Sequence, residues 1–442
     1  MAERFPRNYL ERVPRYALYA FIALLPLHNL AMASLWELGV RGTALDVVSA
    51  WKEALLAVAL GLVAWRQRGL PFKATAVDYL AFAYVGFVVL YALIPQSWLG
   101  GDASAHGIVL AARHDLTPVA AFFLGRSLHF GRDELRRIGL VLLVAAAAVA
   151  AWGLVDIYAV SLDTWRNSGV PGWYREQLGL DYGRDLSGLP ENFVYNPGDE
   201  RPLRRLVSTF LSPLASAYML LVALLVAATW QRSRWLSAVT GFLLVGLLFT
   251  YSRTAIVALA AGLVVLAYGL RSWWPVAASA VLLATGAAFV QAYPEIGPET
   301  RFTPAELEIQ RAGGQVDPTS GDPFDPGESS IDSHWDSLRG GVETVVEHPQ
   351  GYGLGNAGVT ASRTDIDVKA GESTYTELGV ELGLLGMLVF LAWNLTLLRR
   401  ILPRAPWLGA SLAAVLVLGI QTDVIGVHWL AFVLWTLAGE RA

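Results

Sequence analysis

The feature that most constrains this chain is a series of apolar runs, each about 17–25 residues long, punctuated by clusters of arginine. A helix advances about 1.5 Å per residue, so such a run matches the ~30 Å hydrocarbon core of a bilayer. The runs fall near residues 16–36, 47–65, 77–95, 107–128, 138–160, 207–230, 235–251, 254–270, 274–292, 376–398, 406–422 and 424–438. Hydrocarbon offers no partner to a stray amide, and runs of this length are therefore expected to be helices that satisfy their own backbone. They predict an all-α polytopic membrane protein of about twelve transmembrane helices. The boundary at Ser252 is soft, which leaves eleven or thirteen spans open. The first run ends in Ala31-Met32-Ala33, which has the look of a cleavage site, but its length and the many spans after it favour a retained helix.

The basic residues test that count independently. Loops expected in the cytoplasm carry Arg4, Arg7, Arg12 and Arg15, then Arg66, Arg68 and Lys73, then Arg126, Arg132, Arg136 and Arg137. The series continues with Arg232 and Arg234, Arg271, then Arg399, Arg400 and Arg404, and finally Arg441. Short loops on the other side hold only Arg41 and Arg253. Unbroken alternation of this kind is the positive-inside pattern, and it places both termini in the cytoplasm.

Two long loops, 161–206 and 293–375, then fall outside, and residues 1–442 read as a single transmembrane helical domain. The first loop is rich in Gly, Pro and aromatics (Trp165, Trp173, Tyr174, Tyr182 and Tyr195). The second is acidic and turn-rich through 313–330 and helical from Ser333 to Glu347. Structureless loops of such length are uncommon unless functional, so the two either cover the helix bundle or cap an active site, the second being the candidate cap. Composition agrees with the class: 16% of residues are charged, against about a quarter in an average soluble domain. With no Cys, thiol nucleophiles, disulfides and Cys metal sites are excluded. The halves 1–221 and 222–442 share no repeat, which counts against inverted-repeat transporters.

Ionisable residues inside or at the edge of a span are costly and therefore candidates for function. Arg113-His114-Asp115 sits within the fourth run, and Arg204 and Arg205 stand at the outer start of the sixth. Arg253 marks the outer junction of the seventh and eighth, Glu372 precedes the tenth, and Asp423 lies in the last outer turn. A guanidinium is permanently charged and its planar fork grips phosphate oxygens, so arginines gathered at the outer leaflet suit a lipid pyrophosphate. The plainer alternative is that they snorkel to anionic headgroups. Glu372 could serve as a general base, or could simply favour the macrodipole of the helix it precedes. Glu377 and Glu381 continue one helical face and either line a cavity or stabilise packing. Gly351-Tyr352-Gly353-Leu354-Gly355 lacks the spacing of a nucleotide loop and reads as a backbone turn. His348 reads first as a helix-end residue, and His114 as a satisfied interhelical one. No His/Asp/Glu cluster has metal-site spacing.

Three short motifs, taken in order, resemble one family. Arg205-Leu-Val-Ser-Thr-Phe-Leu-Ser-Pro-Leu-Ala215 is similar to its Arg-x-x-Gly/Ser-Thr-Phe-x-Asn-Pro-Asn-x-Ala pattern. Thr250-Tyr-Ser-Arg253-Thr-Ala resembles its Thr-x-Ser-Arg-x-Ala motif, and Glu347–Gly355 leading into Glu372–Gly386 resembles its C-terminal signature. The family is the O-antigen ligase and O-antigen polymerase superfamily of membrane glycosyltransferases. The resemblance implies transfer from a polyprenyl-pyrophosphate-linked glycan donor to a glycan or lipid-linked acceptor, by inverting displacement without cofactor or metal. It implies a bacterial inner-membrane location among membrane lipids, a site facing the periplasm and no nucleic-acid partner. Arg205 and Arg253, with Arg113 beside them, would bind pyrophosphate, while Glu372 takes the place where ligases carry a catalytic His. Arg204, Tyr375, Glu377 and His348 are further candidates for the cavity wall, and the aromatics of the first loop could stack on the sugar rings that the resemblance implies. Ser212 and Leu214 stand where the family usually has Asn. These departures keep polymerase and ligase both open; a transporter or flippase of lipid-linked saccharides is the alternative from another class.

Overall fold

The computed structural model describes residues 12–67, 72–180, 189–190, 193–195, 202–230, 233–298, 300–312 and 329–442. Arg4, Arg7, Arg68, Tyr182, Arg232 and residues 313–328 lie outside the described residues. The chain is mostly helical, and the strands among the described residues are two short ones, β1 (Val194–Tyr195) and β2 (Leu203–Arg204). They pair antiparallel, Val194 opposite Arg204 and Tyr195 opposite Leu203.

Each apolar run of the sequence falls on a helix or a broken pair of helices. Among the described residues, seven are long and apolar enough to cross a membrane: Val13–Glu37, Ala76–Leu93, Ala105–Arg126, Arg132–Ala159, Arg253–Leu270, Trp274–Ile296 and Thr374–Ile401. An eighth is reached if Thr43–Ser49 and Trp51–Trp65, bent by 49°, form one span. The rest are shorter than their apolar windows. Pro213–Thr229 begins only where Pro213 occupies the first turn and Ser212 Oγ accepts the Ala215 amide at 3.3 Å. Proline is pre-shaped for that position and serine satisfies one orphan amide, so the helix cannot start at 207. Arg234–Phe249 and Pro406–Leu418 are likewise short, and the last run opens with a π-turn, Leu430–Leu434, before Trp435–Arg441. The soft boundary at Ser252 is a real turn: Tyr251 has φ 52°, and Ser252 Oγ caps the next helix through the Ala255 amide at 3.3 Å.

Large apolar side chains remain exposed along these helices, among them Leu93, Val109, Val144 and Val281. A water-soluble bundle would bury such residues, whereas lipid accepts them. Exposed Trp65, Tyr268 and Trp273 stand at helix ends, where interfacial aromatics belong. Inside the bundle, Ala105–Arg126 and Trp435–Arg441 approach backbone to backbone: a Cβ on Gly125 would strike the Thr436 carbonyl, and one on Gly439 would strike that of Phe122. Small residues allow this close approach, and dispersion between tightly packed helices then holds spans together.

The described residues of 161–206 join a second, smaller core. Trp165, Trp173, Tyr174 and Phe193 are buried with Met32 and Leu45, and Trp165 Nε1 donates to Asp156 at 2.7 Å. This corrects the expectation that the aromatics of that loop stack on sugars: Trp165, Trp173 and Tyr174 are spent on packing, and Tyr195 is the one of the described set that reaches the cavity below.

The helix Thr374–Ile401 is broken at Gly383, whose φ of 69° and ψ of 170° leave the helical region. The break frees polar backbone groups, and the turn 349–352 satisfies them. Tyr352 N donates to the Val380 carbonyl at 2.7 Å and Leu384 N to that of Pro349 at 2.9 Å. Tyr91 Oη caps the arrangement by donating to the Gln350 carbonyl at 2.7 Å. A Cβ on Gly383 would lie 2.8 Å from Tyr91 Oη and 2.9 Å from two carbonyls, so only glycine fits. The glycine-rich turn read from the sequence is thus the splint of a broken helix.

Candidate functional site

One cavity of about 1520 Å³ brings together residues that lie up to 375 positions apart in sequence, from Glu53 to His428. Its wall includes Arg113, Arg205, Arg253, Glu372 and Glu377. Two arginines are placed by neighbouring turns. β2 leads into Arg205, whose Nε donates to the Thr250 carbonyl at 3.0 Å, while Leu206 N donates to the Phe249 carbonyl at 2.9 Å. The same turn 250–252 delivers Arg253, which donates to Tyr195 Oη at 3.2 Å and sits 5.2 Å from the Tyr195 ring centre. Burial lowers the Arg205 guanidinium to about 10; the Tyr218 hydroxyl opposes the shift and the like charge of Arg253 adds to it.

The backbone at this wall is strained. Ser208, Leu211, Tyr251 and Glu372 all have φ between 52° and 63°, a left-handed conformation that L side chains rarely adopt. Each such residue costs on the order of 1 kcal/mol and persists only where surrounding structure enforces it. Strain of this kind clusters at functional sites, and three of the four flank Arg205, Arg253 or are themselves the candidate base.

Glu372 stands two residues before the helix Thr374–Ile401, and its Oε2 meets His334 Nδ1 at 2.6 Å. His334 belongs to the helix Ser329–Glu347, so the helical part of the second long loop supports the carboxylate directly. Both side chains are about half exposed, 46% and 48%, which leaves Glu372 reachable from the cavity.

Deeper in, His114 bridges two carboxylates: Nδ1 meets Asp115 Oδ1 and Nε2 meets Asp423 Oδ2, each at 2.9 Å. Burial alone would raise Asp423, yet the His114 ring and the amides of Ile425 and Gly426 hold it below the usual carboxylate range. Glu377 and Glu381 also line the wall, and Glu381 Oε1 accepts the Gly355 amide at 2.9 Å. His114 is therefore satisfied, as its sequence context suggests, but it is satisfied at the cavity wall. Among the described residues, no group of three or more His, Cys, Asp or Glu is arranged to hold a metal ion.

Three other candidates lie off this wall. Arg204 is buried in an ion pair with Asp156 at 3.2 Å, and its carbonyl accepts Tyr293 Oη. Burial lowers its guanidinium and Asp156 opposes the shift. Alternation along β2 points Arg204 and Arg205 to opposite faces, so one braces the loop while the other faces the cavity. Tyr375 Oη donates to the Leu416 carbonyl at 2.7 Å and locks two helices. His348 packs on Tyr352, with ring centres 4.6 Å apart, at the splint. Three lining residues went unread as site groups in the sequence, His334, Arg363 and Glu53, and so did the pairing of Asp423 with His114. The last pair was visible only as two isolated charges 309 positions apart.

Apolar helices around a cavity lined by cations and carboxylates define a multi-pass membrane protein. Residues 238–391 match the family model described as O-antigen ligase, and the match supports placing the chain in the O-antigen ligase superfamily, whose members are membrane proteins of polysaccharide biosynthesis. The matched stretch contains Arg253, Glu372, Glu377 and Glu381, and stops short of Arg205 and Asp423 on either side. No curated protein matches the chain.

Proposed function

We propose that the chain is a glycosyltransferase that moves a polyprenyl-pyrophosphate-linked glycan onto a hydroxyl acceptor at the outer face of the bacterial inner membrane. The observation that carries this reading is the shared cavity: Arg205, Arg253 and Glu372 line one wall system although 167 residues separate the first from the last. Arg205 and Arg253 receive the pyrophosphate, whose oxygens suit the guanidinium fork. Glu372 accepts the proton of the attacking hydroxyl while that oxygen bonds to the anomeric carbon. The bond from the anomeric carbon to pyrophosphate breaks, its electron pair staying on the phosphate oxygen. Negative charge thus grows where two cations already stand, which favours the transition state over the ground state. Attack from the face opposite the leaving group inverts the anomeric centre.

Both termini are cytoplasmic in this reading, and the segments 161–206 and 293–375 lie outside, the second acting as the cap. Membrane lipids surround the helices, and the reaction needs no cofactor, metal or nucleotide sugar. The test uses the purified protein with a polyprenyl-pyrophosphate oligosaccharide. Longer lipid-linked chains indicate a polymerase; a new conjugate with an added acceptor indicates a ligase. Wild-type protein that makes neither, while remaining folded and competent to bind the donor, would overturn the proposal.

A further inference from the structure

The cavity holds a second pair of guanidiniums, carried by elements that contribute nothing to the first. Arg113 lies midway along Ala105–Arg126, and Arg363 ends the short helix Gly358–Arg363, which packs against it. Arg363 is fixed by one bond, Nε to the Leu178 carbonyl at 2.9 Å, and among the described residues its terminal nitrogens have no hydrogen-bond acceptor. The ion pair of Arg113 with Glu53 is long, 3.8 Å, and its side chain is 41% exposed into the cavity. Burial lowers the Arg363 guanidinium, the like charge of Arg113 adds to the shift, and Asp46 opposes it. Lys52, 3.4 Å from Glu53, is a third cation in the group. Lys52 and Arg113 thus share one carboxylate, Glu53, and among the described residues both guanidinium forks keep open donors.

We propose that Arg113 and Arg363 form an anion site for the acceptor, holding a phosphate or carboxylate group of the acceptor glycan while its hydroxyl is presented to Glu372. The placement favours the acceptor over the donor. Arg363 belongs to the same capping segment as Glu372, nine residues upstream, whereas Arg205 and Arg253 come from the turns around 205 and 250. A donor pyrophosphate seated on one pair leaves the other pair unneutralised. A planar fork suits either oxyanion, so its source is either a second lipid-linked pyrophosphate or a charged sugar. This inference rests on the glycosyl-transfer reading and names its acceptor chemistry.

The experiment measures transfer by the full-length protein with a fixed polyprenyl-pyrophosphate glycan donor and three acceptors. One acceptor is a polyprenyl-pyrophosphate trisaccharide, one a soluble oligosaccharide with a single uronic acid, and one the same oligosaccharide with that carboxyl reduced to the alcohol. Arg113→Gln is the first variant because its side chain is open to the cavity; Arg363→Lys is the second, since Lys keeps charge and loses the fork. Both are expected to raise KM for a charged acceptor about tenfold or more, the size of a lost charge-assisted contact, with a much smaller change in donor KM. Loss confined to the trisaccharide lipid identifies a second pyrophosphate as the anion; loss with the uronate, and not with its reduced form, identifies a charged sugar. Equal effects on donor and acceptor KM, or none on either charged acceptor, overturn the acceptor site. Because wild-type transfer is measured alongside, absence of any transfer counts against the glycosyltransferase reading instead.

Discussion

The two sides of the cavity are built differently. Arg205 is buried, tied to the Thr250 carbonyl and packed behind a turn whose own residues are strained. Glu372 is half exposed and leans on one partner, His334, from a helix of the capping segment. The first arrangement is rigid before substrate arrives, which suits a group that must meet charge without reorganising. The second is open, which suits a group that must accept a proton from a hydroxyl and release it to water. A fixed electrostatic wall opposite an accessible base is the division of labour expected when one substrate is anchored and the other exchanges.

The largest effect should come from removing the base. Glu372→Gln keeps size and a hydrogen-bond acceptor but cannot take a proton, so kcat is expected to fall by about 10²–10⁴. Donor binding, followed by quenching or by equilibrium dialysis, should be nearly unchanged. Retained turnover would remove Glu372 from the mechanism and make the comparison above meaningless. Next is the fixed wall. Arg253→Gln deletes one cation and should cost about 10²-fold in kcat/KM, split between weaker donor binding and slower transfer. Arg204→Gln is the control from the adjacent residue. It should leave acceptor KM alone in whatever protein folds, and should instead lower thermal stability, because Asp156 is left as an uncompensated buried charge at a cost of about 3–5 kcal/mol.

How much of this was legible in the sequence follows the same divide. Apolar length located the seven described helices long enough to cross a membrane, because the bilayer constraint acts on local composition and needs no tertiary information. It overstated helix length where Pro213 sets the start and where Pro406–Leu418 stops short of 422, since an apolar window runs through capping and turn residues without registering them. Arg205, Arg253 and Glu372 were legible because each sits in a short motif beside a span. The Arg204–Arg205 ambiguity was not, because only the register of β2 decides which of two adjacent arginines turns inward. The bridge from His114 to Asp423 and the contact from His334 to Glu372 were invisible for a different reason. They join helices through space across 309 and 38 residues, and no local spacing encodes that. The aromatics of 161–206 misled in the opposite sense, since a Trp bound for a local core and one bound for a sugar look alike in one dimension.

The smallest predicted effect concerns Asp423, and it separates a positioning role from a catalytic one. Its folded-state value lies below the ordinary carboxylate range, with burial overcome by His114 and two backbone amides. A depressed folded value means that ionised Asp423 contributes stability in full above the unfolded value, and that this contribution is lost as pH falls through the lower folded one. Asp423→Asn should therefore melt at a lower temperature than wild type near neutral pH, and the gap should close as the pH falls below the ordinary carboxylate range. Its effect on transfer should be several-fold rather than a thousandfold, because Asp423 touches His114 and not the acceptor in the proposed chemistry. A collapse of kcat as deep as that of Glu372→Gln, without a loss of stability, would move the base from the open side of the cavity to the buried one.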